Sequence, residues 1–276
     1  MNCNDIGSIG VCSWSVNNDL ALLNQLRSKT GVDRTHLSLN PALDGQVGYA
    51  ARFTDAGWTI SATMVGFPQE DYTTLEAIKR TGGIVPEAVW PQNKQRVLKA
   101  IEMTRQLGVP YLEFHVGFID AADKAAFARL TEKIKQLADV AASQNVVLLM
   151  ETGQETAATL RAFIETVNHP AVAINFDPGN MILYGQGDPV DAVGILGRWI
   201  RHVHIKDATP TKTAGQWGME TAWGEGRVNA DAFLTALKKT GFRGTLSIER
   251  EAGANRTNDI ESAIRRLSCW GGFDGG

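Results

Sequence analysis

Apolar positions along this chain follow two alternating patterns. Short runs rich in Val, Ile, Leu, Thr and aromatic residues recur from end to end, as strands require, and between them apolar residues return every three or four positions, as a helix with one buried stripe requires. Eight runs read as strands: residues 9–15, 34–39, 58–65, 111–115, 146–151, 172–177, 200–206 and 245–249, the second having the weakest pattern. The clearest helix is expected over 121–144, where Phe127, Leu130, Ile134, Leu137 and Val140 mark one stripe, and 160–167 and 233–237 repeat the spacing.

Strands that alternate with helices along the whole length predict a parallel α/β architecture. Eight such units in 276 residues match a single (β/α)8 TIM barrel, whose typical length is about 250 residues. A doubly wound dinucleotide-binding sheet fits less well, because no GxGxxG follows the first run and Gly7 and Gly10 lead to Trp14 rather than to a helix start. One domain over 1–276 is therefore expected. Gly82, Gly83, Pro86, Trp90 and Pro91 mark an insertion around 66–95 that reads as a loop over the barrel mouth, and a second long loop is expected around 207–228.

Composition narrows the partners. With 27 Lys+Arg against 30 Asp+Glu, a net charge of −3 leaves no clustered basic excess, so no nucleic-acid footprint is expected. No apolar stretch approaches the roughly 20 residues of a membrane span. Residues 1–5 lack the basic start and apolar core of a secretory signal, which predicts a cytoplasmic protein. Cys3, Cys12 and Cys269 are odd in number and contain no CxxC, against both a disulfide framework and a thiolate metal site. Oligomeric state is not legible; a homo-oligomer stays open.

Candidate chemistry emerges from strand parity, since alternate side chains of a barrel strand share the lumen. Val147, Leu149 and Glu151 share a face, as do Ala173, Asn175 and Asp177; His202, His204 and Lys206; and Thr245, Ser247 and Glu249. In the first, second and fourth sets the ionisable residue comes last, at the C-terminal end where barrel enzymes carry their sites. Any one of these alone reads as a strand-end polar residue. Glu151, Asp177, His204 and Glu249 together form an oxygen-rich ligand set suited to one divalent ion, Mn²⁺, Mg²⁺, Co²⁺ or Zn²⁺, whose charge would offset three crowded anions.

These residues stand in Leu149-Met150-Glu151-Thr152, in 175–180 with its Asp177-Pro178-Gly179-Asn180, in His202-Val203-His204-Ile205-Lys206-Asp207 and in Ser247-Ile248-Glu249-Arg250-Glu251. As a set, the motifs resemble the xylose-isomerase-like sugar phosphate isomerase/epimerase barrels, which include D-tagatose 3-epimerase, inosose dehydratase, hydroxypyruvate isomerase and the apurinic endonuclease IV branch. The resemblance implies that Glu151, Asp177, His204 and Glu249 bind a single metal ion, often manganese, and that Glu151 and Glu249 double as the acid/base pair. It implies a carbohydrate substrate and proton abstraction next to a carbonyl through an enediolate. The expected activity is thus that of a sugar isomerase or epimerase. A dehydratase or lyase acting on a keto-sugar, an inosose or a 3-keto-glycoside is the alternative.

One position departs from that pattern. Where the epimerases and endonucleases commonly place histidine, this chain has Asn180, which can hydrogen-bond a substrate hydroxyl but is a poor metal ligand. With only five histidines in the chain, a multi-metal phosphodiesterase on abasic DNA is the weaker reading. His115, at the end of the fourth run beside inward-facing Glu113, is a candidate substrate ligand, whereas His202, deeper in the lumen, reads as structural and His36 and His169 as having no role in the site. Lys206 could stabilise an enolate oxygen or hold a phosphate. Arg227 in the second long loop could reach the substrate, and Trp14, Trp217 and Trp223 could offer aromatic faces to a sugar ring.

Overall fold

The computed structural model describes residues 2–3, 6–213 and 215–270. Eight parallel strands close into one barrel: β1 (Gly7–Cys12), β2 (Arg34–Ser38), β3 (Thr59–Met64), β4 (Tyr111–Phe114), β5 (Val147–Glu151), β6 (Val172–Phe176), β7 (Ile200–Ile205) and β8 (Thr245–Ile248). Each pairs with the next in the chain, and β8 returns to β1 with Leu246 opposite Ile9 and Ile248 opposite Val11, so the barrel sheet closes on itself. The weakly patterned second run is a full barrel strand, bonded to β1 and β3. A two-residue strand, Asn2–Cys3, runs antiparallel to the start of β1.

Parity sorts the side chains into two layers. Leu148, Ile174, Phe176, Val203, Leu246 and Ile248 join the apolar layer between strands and helices, while their polar neighbours fill the lumen. Helix Lys124–Ser143 shows how the outer layer is built: Asp123 caps it by accepting from the backbone N–H groups of Ala125 and Ala126, and Leu130, Ile134, Leu137, Ala138 and Ala141 form its buried face. It starts three residues later than the spacing suggested, because Asp120 draws the backbone of Ala122 and Asp123 into a turn first. Phe127 is half-buried and meets Phe163 edge-on at 5.3 Å.

The first strand ends at Cys12, short of the expected Ser15, and a 3-10 turn, Ser13–Val16, follows. The cause lies in two serines. Ser13 Oγ accepts from the backbone of Ser38 and donates to Asn18, and Ser15 Oγ accepts from the backbone of Arg250. These hydroxyls replace ladder bonds and swing Trp14 over the barrel mouth.

Both segments read as long loops contain order. Within 66–95 lie helix Leu75–Thr81, capped by Thr74, and the start of helix Trp90–Gln106. Gly83, at φ +62°, lets this segment press on the backbone of Val116, where a β-carbon would sit 2.2 Å from the carbonyl. Within 207–228 a short antiparallel hairpin pairs Asp207–Thr209 with Met219–Thr221. The buried Asp207 carboxylate accepts from the backbone N–H groups of Ala208, Gly224, Gly226 and Val228. Among the described residues, no helix is long and apolar enough to cross a membrane.

Because one carboxylate satisfies four backbone donors, Asp207→Ala should destabilise the protein by about 2–3 kcal/mol, and Asp207→Asn by roughly half as much. Urea unfolding midpoints check this; an unchanged midpoint for the alanine variant would show that the loop is held by other contacts.

Candidate active site at the barrel mouth

The lumen is a stack of polar layers. Ser8 and Thr245 hydroxyls meet at 3.2 Å near the N-terminal end. Above them His202 is fixed by Asn175 Oδ1 at 2.8 Å from Nδ1 and by Ser247 and Ser61 hydroxyls at 3.1 and 3.2 Å from Nε2, which makes it a structural histidine as expected. The next layer holds His36 and His204, with His36 Nδ1 at 3.0 Å from His204 Nε2.

At the mouth three carboxylates converge on the other nitrogen of His204. Its Nδ1 lies 2.8 Å from Glu151 Oε1, 3.2 Å from Glu249 Oε2 and 3.5 Å from Asp177 Oδ2. Asp177 owes its pose to local sequence. Pro178 starts helix Pro178–Tyr184, Asp177 Oδ1 caps it by accepting from Asn180 N–H, and Thr152 brackets the Asp177 backbone with two hydrogen bonds. Gly179 lets this helix rest on β7, since a β-carbon there would lie 2.9 Å from the Lys206 backbone.

Each remaining carboxylate oxygen has a donor of its own. Glu151 Oε2 lies 3.0 Å from His115 Nε2, and Asn180 Nδ2 donates to Glu151 Oε1 at 3.4 Å. Trp14 Nε1 donates to Glu249 Oε1 at 2.6 Å, and Lys206 Nζ donates to Glu249 Oε2 at 3.0 Å and to Glu251 at 2.8 Å. Burial alone would raise the Glu151 and Glu249 carboxyls; the charges of His115 and His204 on the first, and of Lys206 and His204 on the second, hold both below the usual range. Burial pushes Asp177 up to about 7 despite Lys206. Burial would lower His115, but the Glu151 charge beside it raises it to about 10.

Glu151, Asp177, His204 and Glu249 offer four ligand atoms that all lie within 4.8 Å of one another. Asp177 Oδ2 is buried and receives no hydrogen bond from any described residue, although a buried carboxylate oxygen ordinarily finds a donor. Three hard oxygens, one of them the orphaned acceptor, and one imidazole nitrogen fit a divalent ion.

Most of the residues singled out from the sequence meet here. Glu151, Asp177, His204, Glu249, His115, Asn180, Lys206 and Trp14 form one contiguous cluster, and Trp217 joins the cavity wall above it, its indole N–H bonded to the Tyr72 carbonyl. Arg227 does not: it is exposed and lines no part of the cavity, its backbone tied to Ala208. Trp223 is buried beneath the loop against Phe233. His36, which the weak pattern of its strand sets outside the site, lies fully buried in the lumen beside His204; its two-residue spacing from Ser38, which lines the cavity, is the sequence signal for that face. Glu70, Tyr72, Tyr184 and Glu251 complete the wall of a cavity of about 710 Å³; of these, Glu251 stood two residues beyond Glu249 in the same motif.

Residues 42–268 match the xylose isomerase-like TIM barrel family. The chain belongs to this family. A xylose isomerase domain protein from Planctomyces limnophilus is 30% identical, with 96% of each chain covered and a TM-score of 0.85. An L-ribulose 3-epimerase structure, 20% identical over 95% of both chains with a TM-score of 0.72, shares the fold. Among curated proteins, inosose dehydratase of Lacticaseibacillus casei is 24% identical over 153 residues, 50% of this chain and 51% of that protein, so the chain spans about half the length of the curated relatives it matches.

Asp177→Asn keeps the cap oxygen while turning the orphaned acceptor into a donor, so the unfolding midpoint should move little while divalent-ion affinity falls at least about 100-fold. His204→Ala should have the same effect on affinity. Calorimetry with Mn²⁺ and Co²⁺ reads both, and wild-type affinity in either variant removes that residue from the ligand set.

Proposed function

We propose that this protein is a divalent-metal-dependent enzyme that moves a proton next to a carbonyl in an uncharged sugar, as an isomerase or epimerase. The observation that carries the reading is the pairing of Glu151 and Glu249 across His204 Nδ1, each with one oxygen toward the imidazole and the other turned to a separate donor. An ion held by Glu151, Asp177, His204 and Glu249, whether Mn²⁺, Mg²⁺, Co²⁺ or Zn²⁺, supplies Lewis-acid acidification of the C–H beside a carbonyl when bound.

The chain's own groups do the rest. Glu249 Oε1, held by the Trp14 indole, and Glu151 Oε2, held by His115, are the proton-carrying atoms. They come from β8 and β5, well apart around the barrel, and can serve opposite faces of a substrate plane. Lys206 and protonated His115 stand ready to stabilise negative charge on a substrate oxygen. Asn180 is placed to bind a hydroxyl. Trp217 and Tyr184, in edge contact at 4.9 Å, offer aromatic surface that excludes water over the reacting carbons.

Charge selects the substrate class. Besides Glu151 and Glu249, the cavity is lined by Asp44, Glu70, Glu113, Glu220 and Glu251. The cationic side chains among the described lining residues are Lys206 and His115, and both are already paired with carboxylates. A phosphate would meet surplus negative charge, whereas hydroxyl groups find many acceptors.

Elimination is the second reading, favoured by His115, whose raised pKa of about 10 keeps a proton available for a departing hydroxyl, and by the likeness to inosose dehydratase. The same proton abstraction followed by loss of a β-hydroxyl makes a dehydratase or lyase.

Chelator-stripped and ion-reloaded protein, incubated in D₂O with ketoses, inososes and 3-keto-glycosides, tests the reading by NMR. Deuterium should enter carbon next to the carbonyl in the reloaded protein alone; retention of the carbon skeleton with inversion marks epimerisation, and an enone product marks elimination. Phosphorylated counterparts should exchange far more slowly. Exchange that needs no ion, or that prefers phosphates, would overturn the respective part. Glu151→Gln and Glu249→Gln should each slow exchange by about 100- to 10,000-fold, and near-wild-type exchange in either strips that residue of its acid/base role.

A further inference from the structure

For His204 to serve as a ligand through Nδ1, that nitrogen must present a lone pair to Glu151, Asp177 and Glu249, and the ring proton must then sit on Nε2. A buried N–H requires an acceptor. Two nitrogens face His204 Nε2, His36 Nδ1 at 3.0 Å and Asn175 Nδ2 at 3.2 Å, and the Cys12 thiol in the same layer is only a weak acceptor. Asn175 is committed to its other neighbour, since its Oδ1 lies 2.8 Å from His202 Nδ1, whose ring is in turn fixed through Nε2 by Ser61 and Ser247. That arrangement turns the amide NH₂ of Asn175 toward His204, a donor facing a donor. His36 Nδ1 remains.

His36 is fully buried on β2, and once its Nδ1 accepts, its own proton occupies Nε2. That nitrogen lies 3.9 Å from Glu113 Oε2, longer than a hydrogen bond. Both oxygens of Glu113 are buried and receive no hydrogen bond from any described residue.

We propose that His36 is a positioning residue for the metal site, accepting the Nε2 proton of His204 and so committing the His204 Nδ1 lone pair to the ligand set. The proposal rests on the reading of Glu151, Asp177, His204 and Glu249 as metal ligands. The 3.0 Å approach of His36 Nδ1 to His204 Nε2 is the contact that carries this role.

The test uses the full chain labelled with ¹⁵N-histidine. In the chain loaded with Zn²⁺, a diamagnetic ion, His204 should carry its proton on Nε2 and His36 Nδ1 should be the unprotonated acceptor, read from their ¹⁵N shifts and ring-proton correlations. A loaded His204 whose Nε2 proton faces a protonated His36 Nδ1 would overturn the proposal, and this arm needs no substitution in the lumen. In parallel, calorimetry with Co²⁺ should give one ion per wild-type chain, a dissociation constant raised about 10- to 100-fold in His36→Leu, and recovery to within about threefold of wild type in His36→Gln, whose amide oxygen can accept the same proton. Thermal melts identify the folded variants. A folded His36→Leu that binds Co²⁺ as tightly as wild type overturns the role of His36 while leaving the ligand set intact. No ion bound by wild type overturns the ligand set, and the His36 proposal with it. Two ions per chain, falling to one in Cys12→Ser, would make His36 a direct ligand of a second ion beside Cys12, whose Sγ lies within 4.8 Å of the ligand nitrogens of both histidines, and would overturn the positioning role.

Discussion

Three buried carboxylates aimed at one imidazole nitrogen are the constraint on which the rest of this barrel depends. Two unit charges about 4 Å apart at an effective dielectric near 20 repel by about 4 kcal/mol, a large fraction of the 5–15 kcal/mol that holds a typical domain folded. Glu151, Asp177 and Glu249 can therefore share the mouth only if their charge is answered from all sides. His115 answers Glu151, Lys206 and Trp14 answer Glu249, and the backbone of Asn180 answers one oxygen of Asp177. The other oxygen of Asp177 is left without a donor. That oxygen has only the longer ion pairs to His204 and Lys206, at 3.5 and 3.9 Å, and it supports the proposed cation more directly than the number of carboxylates does, because acidic clusters on many proteins are simply solvated.

The same economy of polar groups extends down the lumen and out to the loops. Below the mouth, His204, His36, Asn175 and His202 form a continuous hydrogen-bonded stack in which each ring constrains the next. Such buried networks leave little freedom for the side chains at the top. Outside the barrel, Asp207 gathers the N–H groups of the 224–228 turn, and Arg250 joins Glu220 of the hairpin to Asp259 of the last helix. The walls of the cavity are thus tied to the same strand ends that carry Glu249 and Glu251.

Epimerisation and elimination begin with the same proton abstraction, and nothing in the carboxylate pair separates them. What separates them is the fate of the neighbouring oxygen. On the proposed reading, a substrate with a good leaving group next to the abstracted proton, near His115, would eliminate, and one without it would be reprotonated by the opposite carboxylate.

The periodicity of apolar residues was enough to determine the barrel, because strand and helix spacing reflect local geometry that each segment carries in itself. Strand parity was enough to bring Glu151, Asp177, His204 and Glu249 to one level, because a closed parallel barrel gives alternate residues a shared interior. Tertiary structure decided what depends on partners distant in the chain. Ser13 and Ser15 end β1 early through bonds to residues 38 and 250. His36 gains its place from His204, 168 positions away. Arg227 is turned out to solvent, since the direction of a loop is set by the contacts that pin it, here the turn held by Asp207, and no local pattern encodes those.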